Sequence, residues 1–258
     1  MKKNNFAGLV AIMKRLRAPD GCPWDKKQTN TSILPYLIEE AYEYIEAVRG
    51  GDVEAMKEEL GDVLLQVVFH AQIASDKKGG FDINDVIDGI SSKLIVRHPH
   101  IFGDKKGLKS AASVRDFWEK HKKEVKKRDS VLEGVPKSMP ALLRSRRLIS
   151  KAGSAGFKWG SAAGVLGKVD EEMGEVKRAL KSGNKSHLKE EIGDLLQAVT
   201  ALAYFSGVDP EEALHGAGDK FTARFKKIEK GLHKGITEKE MIALWNRAKK
   251  RGPLKFSK

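Results

Sequence analysis

The chain has 258 residues, of which 40% are hydrophobic, so it can build a core and is not a disordered protein. Its single cysteine, Cys22, excludes an intramolecular disulfide and is typical of a reducing compartment. The 48 basic residues outnumber the 35 acidic ones and give a net charge of +13. Such a surplus favours polyanionic partners: nucleotide phosphates, nucleic acid or a membrane surface.

The predicted elements are helices. The chain begins with a short apolar run that ends in the basic segment 14–17, which predicts an amphipathic first helix rather than a signal peptide. In SILPYLIEEAYEYIEAV (32–48) and AMKEELGDVLLQVVFHAQIA (55–74), apolar residues recur at three- and four-residue intervals. The sequence therefore predicts an all-α fold. Because no apolar stretch approaches the length that spans a bilayer, we expect a cytoplasmic protein without a membrane segment.

One pattern of residues occurs twice along the chain. The acidic motif EEAYE (39–43) returns 132 residues later as EEMGE (171–175). In each copy a glycine follows, and then the motif KEExGD, at 57–62 and again at 189–194. The same order of features at a constant offset indicates two related domains in tandem.

The repeat also predicts where the domains begin and end. We place the first domain at 1–112 and the second at 139–258. The intervening segment, 113–138, is rich in charge and has a proline, Pro136, near its end, so we expect a charged helical linker there.

The acids of each copy lie at positions that mirror each other about a glycine. If the two helices of the first copy fold back at Gly51, Glu43 faces Glu59 and Glu40 faces Asp62, and the partners within each helix are three residues apart on one face. The second copy repeats this arrangement about Gly183, with Glu175 opposite Glu191 and Glu172 opposite Asp194.

Four carboxylates held between helices whose axes pack 8–10 Å apart repel one another and need cations. Oxygen ligands without cysteine or a well-placed histidine suit Mg²⁺, with Mn²⁺ as a substitute. The alternative is a solvated acidic helix face, which a duplication would also have copied.

The two copies of EExxE followed by ExxD, together with GCPWD (21–25) and RHPHIF (97–102), resemble the MazG family of nucleoside triphosphate pyrophosphohydrolases. The resemblance covers nearly the whole chain. It implies two tandem helical MazG domains, each with four-helix-bundle-type packing completed by dimerisation. It also implies Mg²⁺-dependent cleavage of nucleoside triphosphates to nucleoside monophosphate and pyrophosphate, as in control of the nucleotide pool.

The resemblance also implies roles for individual residues. In the second domain the metal ligands are Glu172, Glu175, Glu191 and Asp194, with Glu171 and Glu175 as catalytic acids. The substrate-binding residues of this domain are Lys168, Lys189, Lys220, Arg224, Trp245 and Lys249. In the first domain the metal ligands are Glu40, Glu43, Glu59 and Asp62, with Glu39 and Glu43 as catalytic acids and Lys93 and Arg97 as basic counterparts. One departure is the segment AGDKF (217–221), where the family often has Asn in NEKF, which leaves nucleotide selectivity open.

The second acidic cluster is surrounded by more lysine and arginine residues than the first, so we expect it to be the principal site for a tetra-anionic substrate. Two other functions are compatible with the sequence. A basic nucleic-acid-binding protein would bind tightly with a steep salt dependence and no turnover, although we expect no nucleic-acid partner. A helical interaction module with vestigial metal sites would keep its stability and its partner when the acids are removed.

Overall fold

A computed structural model describes residues 5–104, 129–157 and 162–250, together with the isolated positions 110, 113–114 and 117–118. Within these residues the chain forms eleven α-helices and one short 3-10 helix, and no strand. The predicted all-α fold is confirmed. The chain divides into two compact units, Met1–Ala111 and Ala112–Lys258.

The first unit is organised around one long helical hairpin. Its six helices are α1 (Phe6–Leu16), α2 (Pro23–Lys27), α3 (Leu34–Gly50), α4 (Val53–Ser75), α5 (Ile83–Arg97) and α6 (Pro99–Phe102). The hairpin consists of α3 and α4, and both α1 and α5 pack against α4. The predicted first helix is therefore present, and the predicted hairpin helices end within two residues of their expected bounds.

The second unit is organised in the same way. Its elements are α7 (Ala141–Ser154), α8 (Ala162–Ser182), α9 (Lys185–Phe205), α10 (Pro210–Ile228), the 3-10 turn Glu229–Gly231 and α11 (Glu238–Lys250). The helices α8 and α9 form the hairpin, α7 packs against α9, and α10 packs against α7 and α11.

Both hairpins turn in the same way. Gly51 and Gly183 have φ angles of 69° and 71°, a left-handed conformation that glycine adopts without steric cost. The next residue caps the second helix: the side chain of Asp52 accepts hydrogen bonds from Glu54 and Ala55, and that of Asn184 does the same at α9. These turns set the register in which the acidic residues of the two helices face each other.

Each unit has its own apolar core. In the first, Met13 of α1, Ile33 at the start of α3 and Val68 of α4 are almost fully buried, and Ile83 of α5 completes the cluster. In the second, Ile149 of α7, Val165 of α8 and Ala201 of α9 form a smaller cluster. The hairpins are therefore held by the flanking helices, α1 and α5 in one unit and α7 in the other.

The predicted charged helix near 113–128 lies largely outside the described residues, and the predicted domain boundaries remain predictions. Among the described residues, no helix is both long enough and apolar enough to cross a membrane.

Candidate active site

The first acidic cluster joins the two helices of the first hairpin. Carboxylate oxygens of Glu40 and Glu43 on α3 and of Glu59 on α4 all lie within 4.8 Å of one another. Glu40 and Glu59 are partly buried, whereas Glu43 is exposed. Three anionic groups from two helices therefore meet at one point.

The second cluster has the same arrangement and is more deeply buried. Carboxylate oxygens of Glu172 and Glu175 on α8 and of Glu191 on α9 again lie within 4.8 Å of one another. Glu172 is only 6% exposed and Glu191 only 8%. Buried carboxylates at this spacing need a counter-charge, so this cluster has the stronger requirement for a cation.

Burial, together with the mutual repulsion of the acids, raises the pKa values of three of these glutamates. Burial and the charges of Asp62 and Glu43 raise the pKa of Glu40, while burial and the charge of Glu43 raise that of Glu59. In the second cluster, burial and the charge of Glu175 raise the pKa of Glu191. Three of the pairs expected from the mirror about each glycine interact in this way: Glu40 with Asp62, Glu43 with Glu59, and Glu175 with Glu191.

The fourth acid of each set lies beside these groups. Asp62 and Asp194 are outside the 4.8 Å clusters, yet the charge of Asp62 raises the pKa of Glu40 and Glu59, and that of Asp194 raises the pKa of Glu191. Both sets contain oxygen donors only. A bound cation would relieve the repulsion between the carboxylates that helps to raise their pKa values. The donors of each cluster fit a hard divalent ion such as Mg²⁺.

Basic side chains surround the second cluster. Lys168 Nζ lies 2.8 Å from Glu172 Oε1 and 2.9 Å from Glu171 Oε1, and these hydrogen bonds raise the pKa of Lys168 well above its usual range. Arg178 pairs with Glu175 at 3.2 Å, and His187 Nδ1 lies 3.3 Å from Glu191.

The first cluster has different neighbours at the same places. The positions equivalent to Lys168, Arg178 and His187 are Tyr36, Glu46 and Ala55. An uncharged amide contacts one of its acids: Gln66 Nε2 lies 3.5 Å from Glu40 Oε1. The two clusters therefore share their acids and differ in the charge around them.

A family model, the MazG nucleotide pyrophosphohydrolase domain, matches residues 28–102 and 163–228. These two ranges contain the two hairpins and both acidic clusters. The chain belongs to the MazG family. The family resemblance, the hydrolase class and the tandem arrangement predicted from the sequence are confirmed.

Two relatives with similar sequences cover more than nine tenths of the chain, and a third covers a little over half of it. The nucleoside triphosphate pyrophosphohydrolase/pyrophosphatase MazG of Thermotoga maritima is 47% identical over 239 residues, which are 92% of this chain and 90% of that protein. The nucleoside triphosphate pyrophosphohydrolase of Escherichia coli K12 is 39% identical over 96% of this chain and 98% of its own length. A protein of the same name from Mycobacterium tuberculosis is 42% identical over 57% of this chain and 45% of its own length.

The other residues with predicted substrate-binding roles lie on four helices of the two MazG domains. Lys189 is exposed on α9, Lys220 and Arg224 are partly buried on α10, Trp245 and Lys249 are on α11, and Lys93 and Arg97 are on α5. The Trp245 ring packs against Phe221, with ring centroids 5.2 Å apart, which fixes α11 against α10. Binding roles for these residues, and catalytic roles for Glu39 and Glu171, remain predictions.

One feature of the second MazG domain was missed from the sequence. A cavity of about 320 Å³ lies beside the acidic cluster, and its floor includes the small residues Ala198 and Ala201 of α9. The equivalent residues of the first domain are Gln66 and Phe69. The large residues of the first copy are replaced by small ones in the second, and this difference was the sequence signal for a cavity. The alanines nevertheless follow the apolar pattern of a helix and are indistinguishable from ordinary core positions.

Proposed function

We propose that this protein hydrolyses nucleoside triphosphates to nucleoside monophosphate and pyrophosphate in a Mg²⁺-dependent reaction. The proposal depends mainly on one observation: acidic clusters at mirrored positions on paired helices occur in both MazG domains. The names of the similar proteins from Thermotoga maritima and Escherichia coli support the same activity. A role in control of the nucleotide pool follows from this reaction.

In this proposal the acids of each domain bind the metal ion. The ligands are Glu172, Glu175, Glu191 and Asp194 in the second domain and Glu40, Glu43, Glu59 and Asp62 in the first. Bound Mg²⁺, or Mn²⁺ in its place, neutralises phosphate charge and lowers the pKa of water. The raised pKa values of Glu40, Glu59 and Glu191 support this assignment, because such groups gain the most from a cation.

The outer acid is the candidate general base. Glu171 is exposed next to the second cluster, and its carboxylate is held by Lys168. From this position it can accept the proton of a water molecule that attacks the α-phosphorus. Its counterpart in the first domain is Glu39.

The basic side chains bind the phosphates. Lys168 pairs with both Glu171 and Glu172, which places its ammonium group at the edge of the cluster. There it can bind the phosphates of a triphosphate substrate. The other residues assigned to the substrate in this way are Lys189, Lys220, Arg224, Trp245 and Lys249 in the second domain, and Lys93 and Arg97 in the first. The charge of the lysine and arginine residues would hold the leaving pyrophosphate.

The second domain is the principal site in this proposal. Its acids are more buried than those of the first domain, and Lys168, Arg178 and His187 contact them. A substrate with four negative charges binds more readily where lysine and arginine side chains accompany the metal ligands.

We also propose that the protein is a homodimer. Leu60, Leu64 and Val67 form an exposed apolar stripe along α4, and the equivalent residues Ile192, Leu196 and Val199 form the same stripe along α9. Apolar residues in a continuous row on two helices are typical of a covered surface. Sedimentation analysis should give twice the chain mass, and Leu196→Asp should shift the protein towards monomer.

The test of activity uses the pure protein with a panel of nucleoside triphosphates and Mg²⁺, and separates monophosphate plus pyrophosphate from diphosphate plus orthophosphate. Reaction in ¹⁸O-labelled water identifies the phosphorus that is attacked, and we expect the label in the monophosphate. Glu190→Gln is the matched control for variants of the acidic cluster, because Glu190 is exposed on α9 next to Glu191. This variant should retain the activity of the unchanged protein. Release of orthophosphate, or steep salt-dependent binding of nucleic acid without turnover, would contradict the proposal.

A further inference from the structure

Each carboxylate of the second acidic cluster pairs with a basic side chain of its own helix. The pairs are Lys168 with Glu172 at 2.8 Å, Arg178 with Glu175 at 3.2 Å, and His187 with Glu191 at 3.3 Å. A metal ion that binds these acids therefore enters a cluster whose negative charge is already partly balanced by the protein itself.

The three pairs differ in strength. The side chains of Arg178 and Glu175 are 69% and 35% exposed, so water screens their attraction. Lys168 is charged at neutral pH, and the side chain of its partner Glu172 is only 8% exposed. Because a buried carboxylate is poorly screened, Lys168 is the basic residue that contributes most to balancing its charge.

Lys168 holds two carboxylates that have different roles in the proposed reaction. Its ammonium group contacts Glu172, a proposed metal ligand, and also lies 2.9 Å from Glu171, the candidate general base. An ammonium group beside Glu172 repels a divalent ion at the same carboxylate. The oxygen of Glu171 that accepts this hydrogen bond is also less available to a water molecule.

The lysine can leave both acids without any change in the fold. Its side chain is 39% exposed, and its charge is carried on a flexible stem of four carbon atoms. The phosphates of a nucleoside triphosphate offer this ammonium group more negative charge than the two carboxylates do. A ligand that binds one arrangement of a side chain better than the other shifts the protein towards that arrangement.

The first domain lacks this charge at the equivalent position. Tyr36 takes the place of Lys168, four residues before Glu40, and its side chain is uncharged. The Tyr36 ring packs near that of Trp24, with ring centroids 6.1 Å apart. A metal ion at the first cluster therefore does not compete with a lysine at this position.

We propose that Lys168 is a latch on the second metal site that the substrate opens. In the free protein the latch holds Glu171 and Glu172. When a nucleotide binds, Lys168 passes to its phosphates and releases Glu172 for the metal ion and Glu171 for water. The inference rests on the proposed function, since it uses the metal and phosphate roles assigned there, and it adds that substrate binding itself prepares the second site.

Two binding measurements on one variant test the latch. Lys168→Met keeps the length of the side chain and removes its charge. In a Glu43→Gln background, which weakens the first cluster, the EPR signal of free Mn²⁺ reports ion binding to the second domain without nucleotide. We expect Lys168→Met to tighten Mn²⁺ binding by about tenfold, as for the loss of one charged competitor.

The same variant should have the opposite effect on the nucleotide. With Mg²⁺ in excess, calorimetry measures binding of an α,β-methylene analogue of ATP, which is not hydrolysed at the α-phosphorus. We expect Lys168→Met to weaken binding of this analogue by about 10–100-fold, because its phosphates lose a charge-assisted hydrogen bond. Tighter ion binding together with weaker analogue binding is the signature of a lysine that moves between the two.

Three controls separate the latch from a general effect of charge. Lys177→Met removes a positive charge that is exposed on the same helix and should change both affinities by less than about twofold. Lys168→Arg keeps a charged donor and should leave Mn²⁺ binding within about threefold of the unchanged protein. In a Glu175→Gln background, which weakens the second cluster, Lys168→Met should not alter Mn²⁺ binding to the first domain.

The outcomes separate the latch from the activity. If folded Lys168→Met binds Mn²⁺ no more tightly than the protein with Lys168, or binds the analogue equally well, the latch is overturned, whether or not the protein hydrolyses nucleotides. Tighter Mn²⁺ binding in Lys177→Met by the same factor would also overturn it. If both expected shifts occur while the unchanged protein shows no turnover, the latch stands and the proposed hydrolysis fails.

Discussion

The two MazG domains share the framework of a metal site. Both place three glutamates from two helices within 4.8 Å of one another, and both fold the helices back at a left-handed glycine followed by a capping residue. The turn and the acids depend on each other, because the glycine sets the register that brings the carboxylates together. A duplicated hairpin preserves both features at once.

The domains differ in what surrounds that framework. Lys168 and Arg178 contact the acids of the second domain, whereas Tyr36 and Glu46 occupy the same positions in the first. Ala201 leaves a cavity that Phe69 fills in the other copy. An acidic cluster that fits a metal ion therefore does not by itself make a nucleotide site, since charge and volume around it also matter.

The largest expected effect comes from removing one acid in each copy. We expect Glu175→Gln to lower kcat/KM for nucleoside triphosphates by at least about 100-fold, because even residues that only support metal ligands are worth 10–100-fold. Glu43→Gln, at the equivalent position, should lower it by less than about tenfold. Pyrophosphate release measures both, with Glu190→Gln as the control. If both variants lower kcat/KM by the same factor, the two domains contribute equally to catalysis and the predicted preference for the second domain is wrong.

Replacing Lys168 tests the difference in charge between the two domains directly. Lys168→Tyr gives the second domain the residue of the first and removes a charge-assisted hydrogen bond, so kcat/KM should fall by roughly 10–100-fold. Lys177→Met is the matched control, because Lys177 is exposed on the same helix. Initial rates at several substrate concentrations give the result. An unchanged kcat/KM in Lys168→Tyr would show that this lysine does not meet the phosphates.

The acids should make the stability of the folded protein depend on pH and on the magnesium concentration. The pKa values of Glu40, Glu59 and Glu191 are raised, so the folded state binds more protons than the unfolded state at a pH near these values. The free energy of unfolding therefore falls as the pH rises from the usual glutamate pKa through the raised pKa of the folded state. Magnesium at 100 times its Kd stabilises by about 2.7 kcal/mol, so Tm should rise by about 5–10 °C at pH 7.5. The rise should be smaller at pH 5, where protons compete with the ion.

Thermal unfolding with EDTA or Mg²⁺ at the two pH values checks this dependence. Glu191→Gln removes a repelling charge and should unfold at a higher temperature than the unchanged protein in EDTA, with a smaller response to Mg²⁺. Glu59→Gln should show the same changes to a lesser extent, because its cluster is less buried. A response to Mg²⁺ that both variants retain in full would place the ion elsewhere.

The smallest effect concerns the shared turn. Asp52→Ala and Asn184→Ala each remove a helix cap at the same position of the repeat and should cost about 1 kcal/mol, or roughly 2–4 °C in Tm. Calorimetric melting measures the loss, and kcat should stay within about twofold. If Asn184→Ala lowers kcat strongly while Asp52→Ala does not, the cap of α9 has a further role in the active domain.

The hairpins and their acids were predictable because local rules determine them. The 132-residue offset exposed the duplication, and the position of Gly51 and Gly183 in each copy predicted the pairing of Glu43 with Glu59 and of Glu175 with Glu191. Helical periodicity and a short glycine turn leave little freedom to two antiparallel helices, so register follows from counting along the chain.

The cavity was not predictable in the same way. Ala198 and Ala201 satisfy the apolar pattern of α9, and only the packing of α7 and the segment around Leu132 shows that they border a space rather than a filled core. The contact of Lys151 with two backbone carbonyls joins residues 18 and 20 positions apart through tertiary structure, and no periodicity in the sequence signals it.

The hydrogen bonds of Lys151 also decide how the second domain can be isolated. A fragment that starts at residue 139 lacks the carbonyls of Val131 and Glu133, and would leave an ammonium group in the interior without these acceptors. A fragment that starts at 129 keeps both acceptors. We therefore expect only the longer piece to express as a stable, folded domain, which makes the few residues ahead of α7 an integral part of it.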